Sequence, residues 1–363
     1  MRLRHVDWLR GVAVLAMIEW HALDAWTADW ARTPVAWWWV AFFGGWAAPL
    51  FVFLAGVSLP LAGAARLARG LDRAAVARTL ARRGAEIFVL AHLFRVQSFL
   101  LNGSTNWSSI LKPDILNVLG LGLVAGAWVW RWSWTTAAAV ALFGGAALLA
   151  MIATPFARGW AWPALLYPRF EAYIRPVGHL GVFSLFPIVG YLFAGAAVGS
   201  LMTPARDEAG DRRFHGRTAA VGAVALALSF VVGALPEALP GTAWWATVVS
   251  PFVMRTAAMS VALAAGWWWW RGRAATRGPL LTFGRTSLFV YWIHVEVAYG
   301  VVSRPWHHAL SLPRALAAFA GLTLLMLALA YAWQQLRPSR RRAGGGGQVL
   351  DRSLPRRSVT KVS

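Results

Sequence analysis

The chain contains no cysteine at all, which removes a thiol nucleophile, a thiolate metal site and any disulfide framework from consideration. Acidic residues are scarce, 14 against 35 Lys and Arg, for a formal net charge of +21. No Gly-rich phosphate loop followed by Lys occurs, so ATP-driven chemistry has no carrier. No small-x-small cleavage site follows the first apolar run, and Asp7 and Arg10 interrupt its boundary, so the N-terminus reads as a spanning helix and not as a removable leader. No nucleic-acid-binding motif accompanies the basic charge, and nucleic acid is excluded as a partner.

What is present is apolar. The 363 residues are 58% hydrophobic, mean hydropathy is +0.53, and 24 are Trp. That composition predicts an all-α, polytopic membrane bundle. A span needs roughly 20 apolar residues. The runs predict ten, at 8–26, 35–63, 84–101, 115–130, 135–153, 180–202, 218–235, 244–270, 279–302 and 313–336. The fourth and fifth, separated by Arg131, Trp132, Ser133 and Trp134, form a helical hairpin. With the N-terminus inside, cytoplasmic segments hold sixteen Arg and outer loops hold seven cations, so both termini are predicted cytoplasmic. Residues 1–336 then form one membrane domain. Residues 337–363, with eight basic residues, one acid and Gly344 to Gly347, read as a disordered cytoplasmic tail suited to anionic lipid. The setting expected is a bacterial inner membrane. The Trp runs at 37–39 and 267–270 fall at span ends and read as interfacial belts; a sugar-stacking role is the alternative. Asn102 and Asn106 begin Asn-x-Ser sequons in an outer loop, relevant only in a glycosylating cell.

Removing loops and tail leaves four cations within spans: Arg10, Arg95, Arg255 and Arg285. Glu19, Glu86, Asp114 and Glu296 are the intramembrane or boundary acids, and His21, His92 and His294 the buried histidines. Asp7, Arg10, His21 and Asp24 share one helical stripe, separated by Val14 and Met17. At about 1.5 Å per residue, His21 lies roughly 16 Å above Arg10, and His294 roughly 14 Å above Arg285. Ionisable groups inside a bilayer face protein or a water-filled cavity and mark functional paths. Arg near the inner third suits an anionic phosphate-bearing donor, and imidazoles in the outer half suit general-base work. Each residue also has a structural reading. Asp7 with Arg10 can be a helix-start ion pair, His92 an interhelical hydrogen-bonder, and Arg255 a snorkelling cation; His21 and His294 can serve packing alone. His179, His307 and His308 fall in outer loops without identifiable metal partners, and no metal is expected.

The run Arg2-Leu-Arg-His-Val-Asp7-Trp-Leu-Arg10-Gly11, with Met17 and His21, resembles the opening helix of the heparan-α-glucosaminide N-acetyltransferase-like membrane proteins. Its Arg-then-His spacing is similar to the first-helix signature of the wider acyltransferase-3 superfamily. Pro49 to Ser58, Arg82-Arg83-Gly84-Ala-Glu86, Asp114-Ile-Leu-Asn117-Val-Leu-Gly120, Phe186 to Tyr191 with Gly195 and Gly199, and Gly284-Arg285-Thr-Ser287 through His294 and Glu296 resemble later helices of that family in the expected order. The resemblance implies acetyl transfer from cytoplasmic acetyl-CoA, the co-substrate, to an amino sugar or glycan on the outer side. It departs at one position. Lysosomal members have Asn where this chain has His21 and carry His further on, in the following loop; here that interval holds only Asp24, Asp29 and Arg32. The acceptor is therefore not carried over.

On this reading His21 is the general base toward the acceptor, oriented by Asp24 or Glu296, and His294 is a second catalytic or positioning group. Arg10, Arg95 and Arg285, with Asp7 and Asn117, form the donor-binding set or stabilise the thioester oxyanion. Direct transfer and an acetyl-histidine intermediate are both open, as is a homodimer. The competing class is a transporter or flippase for an anionic solute or lipid-linked sugar, since Arg and His in a membrane serve transport equally well. It lacks support from any internal repeat relating the two halves.

Overall fold

A computed structural model describes residues 3–103, 105–178, 183–204, 207–238, 248–273 and 277–336. Thirteen α-helices follow in order: α1 (Arg4–Trp26), α2 (Pro34–Gly44), α3 (Ala47–Leu67), α4 (Arg73–Leu101), α5 (Ile115–Trp132), α6 (Thr136–Gly159), α7 (Pro168–Ile174), α8 (Leu185–Leu201), α9 (Glu208–Ala238), α10 (Ser250–Trp270), α11 (Pro279–Arg285), α12 (Ser287–Tyr299) and α13 (Leu312–Leu336). Among the described residues there is no strand, only an isolated bridge between Thr27 and Leu310.

Among the described residues, six helical stretches are long and apolar enough to cross a membrane: Pro34–Leu67, Arg73–Leu101, Trp107–Trp132, Thr136–Gly159, Glu208–Ala234 and Leu312–Leu336. They match the second, third, fourth, fifth, seventh and tenth predicted segments. The other four predicted segments take different forms. The first is α1, whose Asp7, Arg10, Glu19, His21 and Asp24 dilute its hydropathy. The sixth is α8, of 17 residues, and its predicted start at 180 lies outside the described residues. The eighth is α10, with 244–247 likewise outside. The ninth is not continuous: α11 ends at Arg285 and α12 begins at Ser287, with Thr286 at φ −116°, ψ 18° between them. The second is also interrupted, at Gly45 and Trp46. The tail 337–363 lies outside the described residues.

Position explains the polar composition of α1. It packs against α2, α3, α10, α11, α12 and α13, so most of its length meets protein. The peripheral helices show the reverse. On α9, Val221, Val224, Leu228 and Val231 recur at helical spacing and are all more than half exposed. Such a face belongs in hydrocarbon, since every backbone group of the helix is already paired internally. The predicted hairpin is present, α5 turning into α6 around Ser133. Arg73, at the start of α4, pins it by donating to the carbonyls of Trp130 (3.0 Å) and Ser133 (2.8 Å) while lying over the Trp130 and Trp134 rings.

Helix crossings are set by glycine where backbones touch. A Cβ on Gly284 would lie 1.7 Å from the Asp7 carbonyl oxygen, and one on Gly11 would lie 1.9 Å from that of Leu280. The α1–α11 contact is thus reciprocal and leaves no room for side chains, the small-residue packing that close membrane crossings require. A similar pair joins α3 to α8, where Gly56 faces Leu192 and Gly195 faces Phe53, each with 2.0 Å to a carbonyl oxygen.

Gly284→Val is expected to separate α1 from α11 and lower stability by about 3 kcal/mol or more. Gly144→Ala, where a Cβ meets nothing within 4 Å, is expected to be neutral or stabilising. Thermal unfolding and size-exclusion profiles of the two detergent-purified variants make the comparison; equal melting temperatures would refute the assigned crossing.

Candidate active site

The two histidines predicted in the outer half of the bundle meet each other. His21 on α1 and His294 on α12 place Nδ1 and Nε2 2.9 Å apart, with nearly parallel rings at a centroid separation of 5.1 Å. His294 is fully buried. Its other nitrogen, Nδ1, is 2.7 Å from the Val290 carbonyl oxygen. A carbonyl only accepts, so His294 Nδ1 carries a hydrogen and, in the neutral ring, Nε2 carries a lone pair. His21 Nδ1 must then be the donor to His294, which leaves His21 Nε2 as the unprotonated nitrogen. Among the described residues it makes no hydrogen bond. This is the tautomer a general base or nucleophile requires, held by a relay from a main-chain carbonyl.

Asp114 is the second centre. Buried at the start of α5, it receives Arg95 Nη2 at 2.9 Å and the Tyr291 hydroxyl at 2.5 Å. Asn117, three residues on, accepts from the Asp114 backbone N–H through Oδ1 (2.9 Å) and donates to the Phe88 carbonyl (3.4 Å). Asp114 and Asn117 thus form a capping box at the head of α5, and the Asp114 carboxylate also serves α4 and α12. Tyr291 sits edge-on to His294 at 5.9 Å, so the carboxylate is linked to the imidazole pair through one phenol. Arg95 keeps a buried Nε without a hydrogen-bond partner. Its guanidinium is joined to the imidazole pair through Asp114 and Tyr291.

A third cluster lies at the other end of α1. Asp7 takes Arg10 at 3.0 Å and has Arg285 Nε at 3.8 Å, and Arg10 also donates to the Ser58 hydroxyl on α3. Two guanidinium groups share the Asp7 carboxylate there. Eleven residues separate it from His21, roughly 16 Å along the helix.

The predicted residues thus divide into groups. His21 joins His294, and Asp7 joins Arg10 and Arg285. Arg95 does not join the other two arginines; it stands with Asp114 at the level of the imidazoles. Asp24 and Glu296 reach neither imidazole. Asp24 accepts the Tyr299 hydroxyl (2.8 Å) and lies 3.9 Å from Arg32, and the Tyr299 ring meets His21 edge-on at 5.6 Å. Glu296 is 3.5 Å from Asn102 Nδ2. Asn117 holds backbone and has no free amide facing the cluster. His92 bonds the Ile110 carbonyl (3.2 Å) and the Tyr173 hydroxyl (3.4 Å), as an interhelical hydrogen-bonder does. Sequence reasoning did not select Asp114, Tyr291, Tyr299 or Ser58 as site residues. Two signals were available: an Asp with Asn three residues on at the head of a span, and a Tyr one turn before His294. Among the described residues no three His, Asp or Glu side chains converge as a metal ion would require; His179 lies outside them.

The sequence model of the family described as heparan-alpha-glucosaminide N-acetyltransferase, catalytic, matches residues 2–231. The matched part holds Arg10, His21, Arg95, Asp114 and Asn117, whereas Arg285, Tyr291 and His294 come from helices beyond it. No curated protein matches the chain. An all-helical bundle with membrane-length apolar helices, an imidazole pair at its centre and a family match over more than half its length agree, and the chain belongs to the heparan-alpha-glucosaminide N-acetyltransferase family.

Proposed function

We propose that the protein is an acetyl-CoA-dependent membrane acyltransferase. It would span a bacterial inner membrane ten times with both termini inside, and acetylate an amino sugar or glycan at the outer face. The observation that carries this is the tautomer chain Val290–His294–His21, which leaves a lone pair on His21 Nε2. That nitrogen takes the proton from the acceptor amine or hydroxyl as the acceptor attacks the thioester carbonyl. The carbonyl electrons move onto oxygen, where Arg95 Nε–H is the donor at hand. Collapse expels the CoA thiolate, which takes the proton from His21, so acceptor–H and acetyl-thioester become acetyl-acceptor and CoA thiol. The imidazolium formed in between is delocalised by the bond to His294. Attack by His21 Nε2 itself, giving an acetyl-histidine, uses the same lone pair.

The Asp7–Arg10–Arg285 cluster suits the donor. Its two guanidinium groups suit phosphates, and its separation from His21 is within the reach of a phosphopantetheine arm. Asp24 acts on His21 only through Tyr299. Residues 1–336 form the acyltransferase domain in this reading, and 337–363 the polybasic tail. Membrane lipid surrounds the bundle, and assembly as a homodimer is compatible with it.

His21→Ala is expected to lower acetyl transfer by roughly 10²–10⁴-fold, the usual worth of a positioned general base. The assay is CoA release and acetylated product from purified protein with acetyl-CoA and glucosamine; full activity in the variant would overturn the role. Acetyl-CoA at about 100 times its Kd is expected to stabilise the protein by about 2.7 kcal/mol. The corresponding rise in Tm should shrink in Arg10→Ala and Arg285→Ala, and a transporter indifferent to CoA would show no rise at all.

A further inference from the structure

Helices α9 and α10 touch at mid-length and part toward the C-terminal end of α10. At the contact, a Cβ on Gly222 would lie 2.8 Å from Val261 Cγ2 and 3.1 Å from the Ala257 carbonyl oxygen. About one turn further on, Ala219 and Ala265 line the gap and are too small to fill it. An open groove of about 510 Å³ results, the size of a ligand pocket. Ala219, Val261 and Ala265 give it an apolar floor, Trp268 and Trp269 border it, and Arg273 stands beyond the tryptophans. Ala223 and Ala265 beside it are exposed, and α9 is apolar enough here to cross a membrane, so the groove meets hydrocarbon.

Two cations follow α10, and their surroundings differ. Arg271 is answered by Glu208 at 2.8 Å, a carboxylate that also has Arg212 at 3.9 Å. Arg273 meets no acid among the described residues; its guanidinium lies over the Trp269 ring, 4.0 Å from the centroid. The Arg273 carbonyl accepts from Arg4 Nη1 at 2.5 Å, which ties this segment to the head of α1. An indole beneath a guanidinium leaves the N–H edge of the cation open to an oxyanion. An apolar trough ending at an unanswered cation has the layout of an amphiphile with a negative head. A soluble anion would make no use of the floor, and a neutral lipid would make none of Arg273. We infer that the α9–α10 groove binds one anionic phospholipid, with an acyl chain against Ala219, Val261 and Ala265 and the headgroup phosphate on Arg273. In the topology proposed above this is the cytoplasmic leaflet, where anionic lipid gathers and basic pockets between spanning helices take headgroups. The site is independent of the acyl-transfer chemistry and uses none of its residues.

The test is native mass spectrometry of the full-length protein in neutral detergent, titrated with dioleoyl phosphatidylglycerol or dioleoyl phosphatidylcholine. Wild type is expected to take its first phosphatidylglycerol at least about fivefold tighter than phosphatidylcholine, the worth of one cation beside an anionic headgroup. That ratio should fall toward one in Arg273→Gln. Ala265→Trp, which fills the groove, should weaken the first phosphatidylglycerol by a similar factor. Both positions are exposed, and Arg273→Gln decides alone if the Trp variant does not fold. No preference in wild type, or a preference unchanged in Arg273→Gln, would overturn the site and leave the basic tail as the source of anionic adducts. Equal competition by free glycerol phosphate would overturn it too, since a headgroup alone would then suffice. So would a wild-type dimer that Ala265→Trp splits without any lipid preference, which would make the groove a contact between two copies of the chain.

Discussion

A charge inside a bilayer must be answered by an opposite charge, and in this protein that requirement decides which helix stands in the middle. Three of the arginines predicted within spans meet a buried aspartate: Arg10 and Arg285 at Asp7, and Arg95 at Asp114. Arg10 and Asp7 share α1, whereas the Arg285–Asp7 and Arg95–Asp114 pairs join different helices, so satisfying those charges also helps set the order of the bundle. Breaking such a pair would leave an uncompensated ion, at a cost of about 3–5 kcal/mol. Polar α1 is tolerable because α3, α10, α11, α12 and α13 surround it, and the apolar helices α6, α9 and α13 meet the lipid instead.

The same pairings place the chemistry. Asp7 and Asp114 mark two levels of the bundle, and the histidines stand at the second. His294 receives its tautomer from a backbone carbonyl and not from a carboxylate, so no acid competes for the proton that His21 would carry. Asp114 stays occupied with Arg95 and the Tyr291 hydroxyl. In the proposed reaction the arrangement separates a group that moves protons from a group that holds charge.

Part of this was readable in the chain. The stripe on α1 and the similar Arg-then-His spacing on the ninth segment predicted that His21 and His294 both lie in the outer half of the bundle, because helical rise alone converts residue number into height. The Asp7–Arg10 pair followed from its i,i+3 spacing. Other features depend on distances between helices, which periodicity does not encode. Arg95 was grouped with the donor-binding arginines because depth was known and its neighbour was not; Asp114, nineteen residues away, took it. The break at Thr286 was also invisible, since Gly284-Arg285-Thr286-Ser287 interrupts the apolar run without a proline. Hydropathy counted α1 among ten spans from its flanking Trp and Leu residues, whereas its polar stripe keeps it off the set of six apolar helices.

The contact between Gly284 and Asp7 has a mechanical consequence. Backbone against backbone leaves no side chain to yield, so α11 and the lower part of α1 behave as one body. Thr286 is then the fulcrum, and α12 a short lever whose far portion carries His294. Over roughly 12 Å, a swing of about 5° shifts the imidazole by about 1 Å. That is enough to make or part its bond with His21, while the glycine crossing below stays closed.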